Sequence, residues 1–368
     1  INVQLGFADG RSKPAARTTC PGQRTIHQTP RTSSVTYSPF PTEHRSMVFD
    51  NVRNEVYFKA IAAAVNSTSR VLDLGAGVGV LGLEAARLGA QKVYLVDPSS
   101  AVRSAAAIAR DNGLEDRVEV IQSPVESITL EEKVDVILSV FTGNFLLEED
   151  LLPLLFQARD RFLAPGGALI PDRARMYLAP VSLPAYYASR IECWGPQKDG
   201  VDYSAGREYA VNTAYCDAAK KFDAHFLGEV VCLAELDFTT ATRADCKATV
   251  DLGFDVAETC HGVLGWFDMR LGQEWLSTSP LAPATHWSQM FFPFRQPLQV
   301  QAGDSASLRL QRPQHGQWSW VVQFGAERHI HSTAMGSPML RSDFTHAHVP
   351  GVVAPSPTTM GWEPSTPR

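Results

Sequence analysis

The chain has 368 residues, 44% of them apolar, enough to bury a substantial core and long enough for two domains. Its formal charge of −6 argues against a broad phosphate-binding surface, so nucleic acid is not an expected partner. No run approaches the roughly 18 uninterrupted apolar residues of a membrane-spanning helix, so no membrane partner is expected. The cysteines Cys20, Cys193, Cys216, Cys232, Cys246 and Cys260 contain no CxxC pair and no dense spacing, which points to free thiols in a reducing compartment, cytoplasm or nucleus.

In chain order, residues 1–40 are rich in Thr, Ser, Pro and Arg with Asp9 as the one acid. They are expected to form a flexible leader, although an Arg-rich, acid-poor leader also resembles an organelle transit peptide. From Met47 to Val65, Met47, Val48, Val52, Val56, Tyr57, Ala60, Ile61 and Ala64 recur at helical spacing, predicting a helix placed to cap a ligand. A strand at 71–74, a glycine turn, a helix from about Val78 and a strand at 93–96 follow. Then come a helix near 101–112, strands at 118–121 and 134–138, and a helix near 149–163. Pro165, Gly166 and Gly167 turn the chain into a strand at 168–170. This alternation predicts an α/β domain over 41–171, a doubly wound sheet with helices on both faces.

After Pro171 short runs of β-formers at 175–178, 229–233, 248–252 and 262–269 replace helices, predicting a β-rich domain over 172–335. A polar, aromatic-dotted insert at about 184–226 is too long for a hairpin loop and needs another surface to pack on. Residues 336–368 are rich in Pro, Ser and Thr and are expected to be a disordered tail. His329 and His331, like His346 and His348, alternate as HxH, but each pair has a single nearby acid, Glu327 or Asp343, and no cysteine. A strand face or a tail accounts for them and no metal site is expected.

The chemistry is concentrated in VLDLGAGVGVLGLEAARLGAQKVYLVD, from Val71 to Asp97. Gly75, Gly77 and Gly79 let the backbone turn tightly and approach a ligand. Asp97 ends the second strand, where a βαβ unit places a carboxylate for ribose hydroxyls. The dinucleotide fingerprint wants a glycine at the sixth place, where Val80 stands, so NAD is disfavoured. Asp73, just before the turn, repels a pyrophosphate and suits the ammonium and sulfonium of S-adenosylmethionine.

Over about Met47 to Phe324 the chain resembles the protein arginine methyltransferases. HRSMVFDNVRNEVY is similar to the family's cofactor-covering helix, SPVES to its adenine-contacting turn, and ARDRFLAPGGALIPDRA to its crossover between domains. GWFDMRL and WLSTSPLAPATHW resemble its barrel, including the Thr-His-Trp loop. The resemblance implies a Rossmann-like methyltransferase domain followed by a β-barrel-like domain, with the 184–226 insert as a helical dimerisation arm. It implies S-adenosylmethionine as cofactor. Asp73, Gly75 and Gly77 would line the methionine moiety, Asp97 would hold the ribose and Glu126 the adenine amino group. Arg53 would pair with the cofactor carboxylate, with His44 and Met47 of the covering segment beside it. His286 would meet Asp50 near the acceptor, and both join Glu149 as the implied catalytic residues.

Active members of the family clamp a substrate guanidinium between two glutamates of one loop. The loop here reads LSVFTGNFLLEEDLL, with Glu149 at the second position and Val140 at the first; Asn144 stands where the family has Tyr. Glu148 is adjacent to Glu149 and should point away from it. Two readings therefore stay open. One is a methyltransferase acting on arginine of protein substrates. The other is a catalytically inactive member that dimerises through the arm, as a homodimer or a heterodimer, and regulates an active paralogue.

Overall fold

Five short apolar runs build a parallel sheet in the computed structural model, which describes residues 41–197 and 199–336. The predicted leader, and the predicted tail beyond Gly336, lie outside these residues. The strands are β1 (Arg70–Leu74), β2 (Lys92–Val96), β3 (Val118–Ile121), β4 (Val134–Ser139) and β5 (Leu163–Ile170), in the order β3-β2-β1-β4-β5. Central β1 carries Val71, Leu72 and Leu74, each fully buried, as expected of a strand covered on both faces. Leu72 is in register with Tyr94 on one side and Ile137 on the other. The chain runs outward from β1 through β2 to β3, then returns to the opposite side for β4. That reversal opens a crevice at the carboxyl ends of β1 and β4.

The helices are α1 (Arg45–Val48), α2 (Asn51–Ala64), α3 (Val80–Arg87), α4 (Val102–Asp111) and α5 (Leu152–Phe162). The single helix expected from Met47 is broken in two. Asp50 leaves helical geometry at φ −78°, ψ 86°, and its side chain accepts the Arg53 amide, capping α2. A carboxylate that satisfies an orphan amide makes that break favourable. The helix expected from Glu149 starts later, at Leu152, because Glu149 and Asp150 have φ of +73° and +54°. The turn expected at Pro165–Gly167 is present as a bulge within β5: the pairing jumps from Leu163 opposite Val134 to Ala168 opposite Val136, with Gly166 at φ +77°. A residue without an N–H is accommodated at such an interruption of the ladder.

β6 (Arg173–Ser182) begins the antiparallel half. It pairs with Glu258–Leu271, from Arg173 opposite Arg270 to Val181 opposite Gly262, and that strand pairs in turn with Gln289–Val300. A second sheet orders Cys246–Gly253, Ser305–Arg312, Ser319–Phe324 and Glu327–Ser332. Along Ser305–Arg312, Ala306, Leu308, Leu310 and Arg312 alternate inward. Phe292 meets Trp318 and Trp320 edge-on at 5.4 and 5.3 Å. Within the 184–226 insert, Tyr186, Tyr187, Ile191, Val211 and Phe222 pack against Leu264 and Phe291 of the chain's own sheet. The ends of the insert therefore need no outside surface, whereas Trp194, Val201 and Tyr203 at its tip are exposed.

The two halves share one core. The Tyr57 hydroxyl on α2 donates to the Ser139 carbonyl at 2.8 Å and lies 3.8 Å from Met269 Sδ. The Trp287 indole donates to the Thr142 carbonyl at 2.8 Å. Among the described residues no helix is long and apolar enough to cross a membrane.

Candidate active site

The crevice above β1 and β4 holds a cavity lined, among others, by His44, Met47, Arg53, Asp73, Gly75, Asp97, Val140 and Glu149. Its floor is the glycine turn. Gly77 sits at φ +53°, and a Cβ there would lie 2.7 Å from His44 Nδ1. The Gly77 amide donates to Asp97 Oδ2 at 3.0 Å, and the Ser99 amide to Asp97 Oδ1 at 2.7 Å. Each oxygen keeps a further lone pair, so a 4%-exposed carboxylate is fixed in direction and still able to accept ligand hydroxyls. Asp73 Oδ2 accepts the Gly82 amide at 2.8 Å. Burial, with Asp97 nearby, pushes the Asp73 carboxyl up to about 7 despite that bond and Arg53.

Arg53 supplies the test of fit for an S-adenosylmethionine carboxylate. Its guanidinium is 2% exposed, and both Nε and Nη2 donate to the neutral Asn54 Oδ1, at 2.9 and 2.6 Å. Burial lowers its pKa against the pull of Asp50 and Asp73. A buried guanidinium with no carboxylate within salt-bridge distance among the described residues, at the wall of a cavity, matches a ligand that carries one. Asn54 Nδ2 donates to the Val48 carbonyl at 2.8 Å, tying α1 to α2 over the site. Sequence periodicity marks Asn54 as nothing more than a polar helix position, so its role was not legible.

Asp50 and His286, 236 residues apart, meet as expected, although neither lines the cavity that Glu149 faces. Asp50 Oδ2 accepts both the His286 amide and His286 Nδ1, each at 2.8 Å. Burial raises the Asp50 carboxyl, but the His286 ring, the Arg53 amide and the His286 amide outweigh it, and its pKa is low. For His286 burial wins over Asp50 and lowers the imidazole pKa. With Nδ1–H on Asp50, the neutral ring keeps its lone pair on Nε2.

The acceptor loop crosses the same cavity. Asn144 Oδ1 accepts the Ser288 amide at 2.7 Å, so the residue in the family's Tyr position fastens the loop to the Thr-His-Trp segment. Glu149 faces the crevice from its left-handed turn, and burial together with the neighbouring Glu148 raises its pKa. Glu148 turns away, its carboxylate bonded to the Trp318 indole. Val140 lines the cavity with an apolar side chain. Glu126 is exposed on the turn Val125–Ser127 and does not line the cavity; Arg161 holds that turn through the carbonyls of Val125, Glu126 and Ile128. His331 stacks on Trp320 with ring centroids 4.8 Å apart and bonds through Nδ1 to the Val211 carbonyl, while His346 and His348 lie outside the described residues. Among the described residues no three His, Cys, Asp or Glu side chains gather as a metal site would require.

The parallel sheet, the glycine turn and the Asp97 carboxylate define a Rossmann-like, S-adenosylmethionine-dependent methyltransferase. The ribosomal protein L11 methyltransferase model matches residues 55–171, and the arginine methyltransferase oligomerization subdomain matches residues 172–321. The chain is 37% identical to protein arginine N-methyltransferase 6 of Danio rerio over 67% of this chain and 75% of that protein. It is 33% identical to protein arginine N-methyltransferase 1 of Chlamydomonas reinhardtii over 73% and 79%. Its fold is similar to the Trypanosoma brucei PRMT1 enzyme-prozyme heterotetrameric complex with AdoHcy, with a TM-score of 0.72 and 29% identity over 80% of this chain and 98% of that one. Arabidopsis thaliana protein arginine methyltransferase 10 gives 0.66 and 27% over the same shares. The chain belongs to the protein arginine methyltransferase family.

Proposed function

We propose that this chain transfers a methyl group from S-adenosylmethionine to a guanidinium nitrogen of protein substrates. The observation that carries the reading is that Glu149 faces the same cavity as Arg53, Asp73 and Asp97, so donor and acceptor groups converge. Arg53 would hold the cofactor carboxylate, Asp97 the ribose, and Asp73 the cationic methionine end, with His44 and Met47 above. When bound, the cofactor supplies a methyl group on a sulfonium centre. Glu149 accepts N–H bonds from the acceptor and orients it, while neutral His286, steadied by Asp50, takes up the proton that the methylated nitrogen releases. Glu126 would reach the adenine from its turn.

Val140 favours a second reading, in which the chain binds cofactor and serves an active paralogue as a dimer partner. A dry pocket with one of two clamp carboxylates replaced by an apolar wall costs several kcal/mol for a guanidinium, and each 1.4 kcal/mol is about tenfold in rate. The exposed Trp194 and Tyr203 at the tip of the insert support assembly through the arm, with itself or with a paralogue. An enzyme-prozyme complex among the structural relatives is consistent with that. Incubating labelled S-adenosylmethionine with arginine-rich peptides separates the readings. Transfer by the pure chain, abolished in Glu149→Gln, supports catalysis; transfer that needs an added family member supports the partner role.

A further inference from the structure

We infer that Arg312 and Trp318 are positioning residues for Glu149: from the end of one strand of the second antiparallel sheet and the residue just before the next, they hold the turn that aims its carboxylate into the cavity. The inference rests on the reading that Glu149 receives the acceptor. Glu149 has no side-chain hydrogen bond among the described residues, so its direction is set by its backbone. That backbone is unusual. Phe145, Leu146, Glu149 and Asp150 all have left-handed φ, from +46° to +73°, which non-glycine residues adopt only when their surroundings impose it.

The surroundings are specific. The two acids flanking Glu149 are each fastened to the other domain half: Glu148 accepts the Trp318 indole N–H, and Asp150 Oδ1 accepts Arg312 Nη2 at 2.9 Å. The His315 amide adds a 3.3 Å contact to the same Asp150 oxygen. Phe145, at the start of the turn, packs 5.2 Å from Trp318, and a side chain at Gly265 would strike its ring.

Arg312 occupies a position that the strand pattern assigns to the core. It follows Ala306, Leu308 and Leu310 in the inward alternation, is 5% exposed, and its Nη1 is buried with no partner among the described residues. An apolar residue would suit that slot better, since a buried ion pair is a poor source of stability. What the pair does supply is direction: Asp150 cannot turn away without leaving the guanidinium unpaired. Trp318, 2% exposed, is bound by the same logic, because its indole N–H needs an acceptor when buried. Both anchors act on the residues immediately before and after Glu149, and among the described residues the hydrogen bonds of neither reach a cavity-lining residue of the cofactor side.

The test uses the full chain with Trp318→Phe, Arg312→Met, Arg312→Lys and the loop-side variant Glu148→Ala, and Glu149→Gln as the reference for a lost carboxylate. Measured are kcat and KM for an arginine peptide, S-adenosylmethionine affinity by calorimetry, and hydrogen exchange of amides 145–151. Trp318→Phe, Arg312→Met and Glu148→Ala should lower kcat about tenfold or more, leave cofactor affinity within about twofold, and speed exchange in the turn. Arg312→Lys should restore much of the rate, which a filler role would not. Unchanged kcat and exchange in these variants, with Glu149→Gln inactive, overturns the inference. If wild type and Glu149→Gln are equally without transfer, the functional reading fails instead. The exchange measurement then decides the positioning role: protection unchanged in the variants refutes it, protection lost supports it. Should Arg312→Met not fold, Trp318→Phe and Glu148→Ala carry the same decision.

Discussion

Replacing Arg53 with Met separates cofactor recognition from folding. In the ligand-free protein the 2%-exposed guanidinium is answered by the Asn54 side-chain oxygen, a neutral acceptor that does not offset the cost of desolvating a charge. Removing the charge relieves a penalty of about several kcal/mol, while leaving Asn54 Oδ1 unpaired costs about 1–3 kcal/mol. Asn54 keeps its bond to the Val48 carbonyl. The net expectation is a ligand-free protein as stable as wild type or more stable by about 1–2 kcal/mol, an increase of roughly 1–3 °C in Tm at this size. Cofactor binding should move the other way. Losing a charge-assisted pair to the cofactor carboxylate removes about 1.5–3 kcal/mol, so Kd rises about 10- to 150-fold. Calorimetry with S-adenosylmethionine and differential scanning give both numbers, and a cofactor analogue lacking the carboxylate should bind wild type and variant alike. An affinity within threefold of wild type, or a fall in Tm of more than about 5 °C, would refute the reasoning, since Arg53 would then be satisfied without ligand.

Four further outcomes are expected. Val140→Glu should create or raise arginine methylation by about tenfold or more in kcat/KM, read with labelled cofactor; no change means the acceptor pocket is altered beyond that position. Methyl transfer should fall as pH drops through the raised pKa of Glu149, because its carboxylate must be ionised to hold a cation, and a pH-rate profile of wild type without such an acid limb would contradict the assignment. Asp73, raised to about 7 in the fold from about 3.9 unfolded, contributes stability that is full below pH 4 and lost as pH rises through 7. Asp73→Asn should therefore raise the ligand-free Tm at pH 8 and not at pH 4, while cofactor affinity of wild type should climb across the same interval. Trp194→Ser with Tyr203→Ser, at exposed positions of the insert, should weaken self- or paralogue association in sedimentation without lowering Tm by more than about 2 °C.

The donor half was the more legible one because its signals are local. Gly75, Gly77 and Asp97 lie within one βαβ unit, and strand and helix lengths fix what they can approach. Arg53 and the Asp50–His286 pair were accessible through resemblance alone, since nothing in the spacing of residues 236 positions apart announces contact. Helix boundaries near Asp50 and Glu149 were missed for one reason: a side-chain cap and left-handed residues interrupt an apolar period that continues through them.

The G-x-G-x-G turn and the acids at the ends of β1 and β2 thus pointed by themselves to an S-adenosylmethionine site, whereas Val140 stands out only through the resemblance, which implies a glutamate at that clamp position. Only the tertiary structure decided which way the remaining carboxylate points. The resemblance singles out Glu149 among the three adjacent acids Glu148, Glu149 and Asp150 without a physical reason for its direction; Trp318 takes the first, Arg312 the third, and the one left without an anchor is the one that faces the cavity. That selection depends on partners more than 160 residues away, brought there by sheet packing, and chain-local physics has no access to it.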